Sequence, residues 1–249
     1  MKNIIYYILN FTFPKFEKKI LEILKNEKRL IIFDVGCYKG VFTKNIQKFI
    51  KKKKSKFFLF DINKNVKLYI KDLLKLNNII YNEIALSNKS GKATYNYNSS
   101  FESSGSSLST VYKSDYKWNN SREVILKILS FNNSQKGFIK YKVKTITLDN
   151  FTKKNKIKYI DILKIDVDGY EQQLLKGAKN TLKNNKVKTL LIEISAKKEL
   201  FIKKEKRIIN FLKKNNFVFI EKSNIFSVSL FSNTRSEDYL FVNKNYLGA

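Results

Sequence analysis

Five acidic residues stand where strand-like apolar runs give out. They are Asp34 in "RLIIFDVGCYKGVFTKNI", Asp61 in "KFFLFD", and Asp166, Asp168 and Glu171 in "YIDILKIDVDGYEQQLLKGA". The chain has no histidine and a single cysteine, Cys37. That removes Ser–His and Cys–His catalysis, histidine metal ligands, a disulfide framework and a Cys-based zinc site. Acid–base chemistry must therefore run through Asp, Glu, Lys or Tyr.

Around Asp34 the spacing is specific. Gly36 permits a tight turn or a positive φ, and Gly40 lets a ligand or backbone approach where a Cβ would collide. The amphipathic spacing that follows starts a helix whose first N–H groups point back at the loop. An ordinary strand–turn–helix junction would use the same residues. A dinucleotide loop needs G-x-G-x-x-G, whereas this one reads G-x-x-x-G after an aspartate. The acidic residue would repel a pyrophosphate and suit a cation, and Asp61 at the next strand end could accept ribose hydroxyls. A ribose-bearing cation without phosphate is S-adenosylmethionine. Other nucleotide sites and a plain turn stay open.

In the second cluster, Asp166 and Asp168 sit near a strand's carboxyl end, Gly169 at a turn and Glu171 in a first helical turn. All face the edge that carries Asp34 and Asp61. Helix capping by Asp168 and a favourable dipole position for Glu171 are the structural alternatives. Asp166 has no such role.

The elements that must hold these residues alternate. The spacing predicts helices over 13–27, 40–52, 64–76, 170–184 and 198–214. It predicts strands over 30–35, 56–61, 79–86, 159–167, 187–195, 217–222 and 238–243. Apolar strands alternating with helices form a parallel sheet covered on both faces, with room for an antiparallel pair at the C-terminal end. The rhythm breaks over 87–150. There "KATYNYN" and "YKVKTITL" alternate with period two and predict a small strand pairing. The polar "SSFESSGSSLST" between them is either a loop over the active edge or a solvated linker.

At 249 residues and 43% hydrophobic content the chain fits one large globular domain. The formal charge of +29 is carried by lysine; Arg29, Arg122, Arg207 and Arg235 are the arginines. Together with abundant Asn, Ile, Phe and Tyr, this follows A/T-rich codon usage. An anionic partner is the other explanation, although scarce arginine weakens a nucleic-acid one. The "KKKK" at 51–54 ends a predicted helix, where cations suit the dipole. "MKNIIYYILNFTF" is too short for a transmembrane helix and lacks a small-residue cleavage site. It reads as a packed segment, with peripheral contact at the inner membrane face as the alternative, in a cytoplasmic protein.

The order "FDVGCYKGVFT", "FLFD", "NEIALSNKSGKATY", "SSGSSL", "VKTITLDNF" and "IDILKIDVDGYEQQLLKGA" resembles the FkbM-type methyltransferases over roughly residues 30–195, and the "DYLFVN" ending is also similar. Cys37 replaces a small residue of that pattern, Asp168 replaces Glu, and Asp61-Ile62 replaces Glu-Pro. The resemblance implies an α/β, class I SAM-methyltransferase (Rossmann-like) fold: a doubly wound, mostly parallel seven-stranded sheet with helices on both faces and one antiparallel strand. Residues 1–28 would form a helical segment packed on a domain spanning 29–249, with 87–150 as a loop and strand insertion near the acceptor.

The resemblance further implies S-adenosylmethionine as cofactor, held by Asp34, Gly36, Cys37, Tyr38, Gly40, Thr43, Asp61, Ile62 and Ala85. The implied reaction is O-methylation of a saccharide or glycoconjugate, for which a phosphorylated or acidic acceptor would suit the charge. Asp166 is the first candidate base, then Glu171 and Asp168. Ser104, Ser106 and Ser107 are candidate acceptor contacts. No metal site is assigned, although the carboxylates could instead hold a divalent cation that orients hydroxyls. RNA methylation is the alternative reaction, DNA is not an expected partner, and a non-catalytic SAM-fold binding protein is the alternative class.

Overall fold

The computed structural model of the protein describes residues 15–50, 54–98, 138–223 and 234–247. Among them a seven-stranded sheet is built from β1 (Arg29–Val35), β2 (Lys54–Phe60), β3 (Ile79–Asn82), β7 (Ile160–Ile165), β8 (Val187–Lys197), β9 (Phe217–Lys222) and β10 (Thr234–Asn243). Its order is β3-β2-β1-β7-β8-β10-β9. The first five of these strands run parallel; β10 is antiparallel to both β8 and β9. Strand order reverses between β1 and β7. In an open α/β sheet that reversal opens a crevice at the carboxyl ends.

Alternation along the strands makes two cores. Phe33, Leu163, Leu190 and Phe241 face one side, under α4 (Leu148–Lys154), α5 (Glu171–Gly177), α6 (Lys179–Lys183) and α7 (Lys198–Lys214). Ile32, Ile162, Leu191 and Leu240 face the other, under α1 (Lys15–Ile23), α2 (Val41–Phe49) and α3 (Val66–Tyr69). Ile20 and Leu24 of the N-terminal segment are buried in this second core. The long apolar strands follow from being covered on both faces.

Three expectations change. The strand predicted over 79–86 divides: β3 ends at Asn82, and β4 (Ala85–Leu86) joins a separate three-stranded sheet with β6 (Phe138–Ile146) and β5 (Gly91–Asn98). The antiparallel β5–β6 pair is the strand pairing expected from "KATYNYN" and "YKVKTITL". The helix predicted over 64–76 keeps Val66, Ile70 and Leu73 buried on one face but breaks into α3 and a 3-10 turn at Leu73–Lys75. The helix predicted over 170–184 breaks at Ala178, after Gly177 packs on the Ser87 carbonyl so closely that a Cβ would lie 1.9 Å from it. Local periodicity cannot register such a tertiary approach.

Candidate active site

Gly36 is the joint of the site. Its φ is +76°, and a Cβ added there would lie 1.7 Å from the Asp166 carbonyl oxygen. A glycine is therefore required to bring the loop after β1 against the end of β7, and Asp166 N–H donates to Val35 O at 2.9 Å across the same seam. Gly40 also has positive φ, +68°, but the group a Cβ would strike is the Leu73 side chain at 2.6 Å. Its smallness seats α2 on the 3-10 turn rather than admitting a ligand.

Asp61 ties the loop to β2. Oδ2 accepts the Tyr38 N–H at 2.9 Å, and Oδ1 accepts the N–H groups of Ile62 at 2.8 Å and Asn63 at 2.9 Å. Burial raises its pKa while the three N–H donors oppose the rise. A carboxylate has about four acceptor positions, so a ribose hydroxyl still finds one. Tyr38 takes the left-handed φ of 41° that this arrangement imposes. Ile62 O accepts the Tyr141 hydroxyl at 3.0 Å, which fastens the β5–β6 pair over the end of β2. Cys37 is buried, and burial first, then Asp61 and Asp34, pushes its thiol well up. Ala85 lies buried in β4, paired with Thr145.

Asp34 is buried beneath the loop. It has no exposed surface; Oδ2 accepts the Thr43 hydroxyl at 2.7 Å, and Oδ1 lies 3.6 Å from Lys164 Nζ. Both Asp34 and Thr43 act from beneath, locking α2 to β1. Lys164 Nζ also donates to Asp166 Oδ2 at 3.0 Å and to Gly36 O at 3.3 Å. Burial alone would lower this ammonium's pKa, but Asp166 and Asp34 more than offset it and hold it above the usual lysine range.

The three carboxylates lie near one another, but their surroundings differ. Glu171 is fully enclosed, its Oε1 accepting the Gly169 N–H at 2.7 Å and its Oε2 paired with Lys204. Lys204 in turn donates to the carbonyls of Gly169 and Ser195 at 2.9 and 2.7 Å. Glu171 thus shapes the turn and is not presented to solvent. Asp168 occupies a left-handed φ of 41° and does not cap α5, whose N-cap is Tyr170. Burial, then Asp166, Glu171 and Asp61, raises its pKa well above the usual range. Asp166 combines 36% side-chain exposure with a backbone packed directly on Gly36.

Sequence reading missed two neighbours. Glu193 of β8 stands one register step beyond the Ile165–Ile192 pair, beside Asp166, and Asp238 of β10 stands opposite Glu193 in the antiparallel register. Their one sequence signal is an acidic residue interrupting an apolar run in "TLLIEIS" and preceding one in "EDYLFV". Ser104, Ser106 and Ser107 lie outside the described residues. Among the described residues no three acidic or cysteine side chains are grouped as a metal ion would require, and no helix is long and apolar enough to cross a membrane.

This edge can do three things chemically. It can accept a ribose at Asp61, favour a cationic ligand over a neutral one through its excess of carboxylates, and take a proton at Asp166.

Comparison with known proteins bears on this geometry. The model of the methyltransferase FkbM domain matches residues 34–219. No curated protein matches. The crystal structure of methyltransferase FkbM from Methylobacillus flagellatus KT has a TM-score of 0.51 and 10% identity, over 86% of this chain and 44% of that one. This chain thus spans less than half of that protein, and the likeness concerns the fold. TrmK from M. capricolum, in complex with S-adenosylhomocysteine, has a TM-score of 0.44 at 14% identity, over 91% of this chain and 68% of that one. Precorrin-6y C5,15-methyltransferase from Geobacter metallireducens GS-15 has a TM-score of 0.44 at 9% identity, over 93% and 88%. Both are more distant than the first.

Proposed function

The chain belongs to the FkbM methyltransferase family, and from that premise we propose that it methylates a hydroxyl of a saccharide or glycoconjugate. S-adenosylmethionine is the cofactor, and when bound it supplies an activated methyl on a sulfonium. The loop of Gly36 to Gly40 would seat it, and Asp61 would accept a ribose hydroxyl. Asp34 and Thr43 would hold the loop without touching it, and the acidic edge would favour the cation over its neutral product.

The single observation that carries the reading is Asp166: a part-exposed carboxylate on the residue whose backbone packs against Gly36, in a chain without histidine. A hydroxyl is a poor nucleophile, so a base there is worth about 10²–10⁴-fold. Alignment of the oxygen with the methyl contributes more, on the order of 7–11 kcal/mol in well-oriented systems. Ser104, Ser106 and Ser107 remain candidate acceptor contacts. The net charge of +29 favours a phosphorylated or acidic acceptor.

The same charge supports a second reading, RNA methylation. Two measurements separate them. Calorimetry should show S-adenosylhomocysteine binding by the wild type. Transfer of labelled methyl from S-adenosylmethionine should then label glycan extracts and not RNA. Label in RNA, with binding that falls steeply with salt, would favour the second reading. A folded protein that binds no S-adenosylhomocysteine would sink both and leave a non-catalytic partner.

A further inference from the structure

The carboxyl edge holds more negative charge than the proposed reaction has yet used. On the α1–α2 face, Asp34 pairs in register with Lys164, and Asp238 pairs with Glu193. Ile165 pairs with Ile192, so one step on Asp166 stands beside Glu193. Asp166, Glu193 and Asp238 therefore form a row across β7, β8 and β10. Lys164, the cation bound to Asp166, is shared with Asp34.

Like charges directly opposite in a sheet repel, and two carboxyl groups can hydrogen-bond only with a proton between them. Asp166 stands next to Glu193 in that row, and its charge is the largest influence on Glu193. Asp166 is the more open end, through which a proton can arrive from a ligand on the glycine loop.

We propose that Asp166 and Glu193 work as one base, Glu193 being a positioning residue that traps the proton Asp166 takes from the acceptor. The inference rests on the methyl-transfer reading. As the acceptor oxygen's lone pair forms the O–CH₃ bond, the electron pair of the breaking C–S bond goes to sulfur. The hydroxyl proton passes to Asp166 and ends shared with Glu193. The reactive state is the pair without the proton, whose repulsion strengthens it as a base.

The surroundings agree. The groups facing Glu193 are Asp166, Asp168 and Lys164 from the β7 end and Asp238 from β10, while Glu17 of α1 acts on Asp238. The charge of Asp166, then burial, then Asp238 and Asp168, raise the pKa of Glu193 well above its ordinary value.

The test needs no known acceptor. The protein, ¹³C-labelled at Asp and Glu carboxyls, is titrated by NMR from about pH 4 to about pH 9 with S-adenosylhomocysteine present. The Glu193 signal is identified by its absence in Glu193→Gln. Its midpoint should lie at least about one pH unit above those of the exposed glutamates and move down toward theirs in Asp166→Asn. Titration of Glu193 with the exposed glutamates, or a raised midpoint unchanged by Asp166→Asn, overturns the proposal. With an acceptor in hand, the pH–rate profile of the wild type should rise through the same midpoint. Glu193→Gln should move that limb about one unit lower and reduce the plateau several-fold, whereas a merely structural role leaves the limb in place. Loss of S-adenosylhomocysteine binding by the wild type would instead strike the methyl-transfer reading. A protein that binds it but titrates Glu193 normally strikes this inference alone.

Discussion

Each end of the sheet carries a lysine between two carboxylates, and the two ends differ in what surrounds them. At the amino end Lys188 lies 2.6 Å from Glu27 and 2.7 Å from Asp161, and over the rings of Tyr159 and Tyr246. The second oxygen of Asp161 accepts the Ile31 N–H at 2.7 Å. Cation, carboxylates and backbone donor pin strands β1, β7 and β8 together, although burial still raises the pKa of Asp161. At the carboxyl end Lys164 meets Asp34 and Asp166, and Glu193 and Asp238 stand beside them with no lysine or arginine ion pair among the described residues. The first arrangement is what a fold uses to hold itself; the second departs from local balance and faces the crevice. Residues that break local consistency concentrate where function is retained at a cost in stability. The overall charge of +29 hides this, because the acidic edge is local.

The sharpest way to separate the two ends is to remove one lysine. Lys188→Met leaves the enclosed Asp161 without its cation, and breaking such a buried pair costs about 3–5 kcal/mol. Urea unfolding should show that loss, while S-adenosylhomocysteine affinity of the remaining folded protein stays at the wild-type value. A fall in affinity would mean that the two ends are coupled, and the contrast would fail.

Asp166→Asn should do the reverse. Methyl transfer should drop by about 10²–10⁴-fold, read as kcat with labelled S-adenosylmethionine. Urea stability should change much less than in Lys188→Met, since relief of like charge offsets the lost Lys164 pair and Asp34 still faces that lysine. An unchanged kcat would remove Asp166 as base.

Asp61→Ala probes the other half of the carboxyl end. Loss of a charge-assisted contact costs about 1.5–3 kcal/mol, or roughly 10- to 150-fold in S-adenosylhomocysteine affinity by calorimetry. The Tyr38 N–H loses its acceptor in this variant, so stability should fall as well. Intact affinity would show that the ribose is held elsewhere.

The contrast also explains what could be read from the chain. The strands, the helices and the mostly parallel sheet followed from apolar runs alternating with helical spacing, and Asp61 and Asp166 were visible because each ends such a run. Gly36 was visible too, but not its reason: the atom it makes room for belongs to Asp166, 130 residues away. Glu171 and Asp166 look equivalent in "DVDGYE", and only Lys204 of α7, enclosing Glu171, tells them apart. Glu193 and Asp238 acquire meaning only through cross-strand register. Pairing between distant strands is set by the whole sheet, and no local pattern reports it.

The smallest effect tests whether the row is strained at all. Burial, then Asp166, lifts Asp238 from 3.8 to about 6. An acid whose folded pKa is raised binds protons more tightly folded than unfolded. Between the two values the unfolded chain therefore carries fewer protons, and stability falls as pH rises. At about 1.4 kcal/mol per unit the full shift corresponds to about 3 kcal/mol, and sharing among neighbouring carboxylates reduces it to about 1–2 kcal/mol. Glu221 and Glu237, whose pKa values are lowered by their partners, contribute the opposite slope. The informative quantity is therefore the difference between wild type and Asp238→Asn, followed by urea midpoint from about pH 4 to about pH 6. The variant should gain on the wild type steadily across that window and keep the gain above it. Parallel curves would mean that the row carries no strain, and that the carboxyl end is as balanced as the amino end.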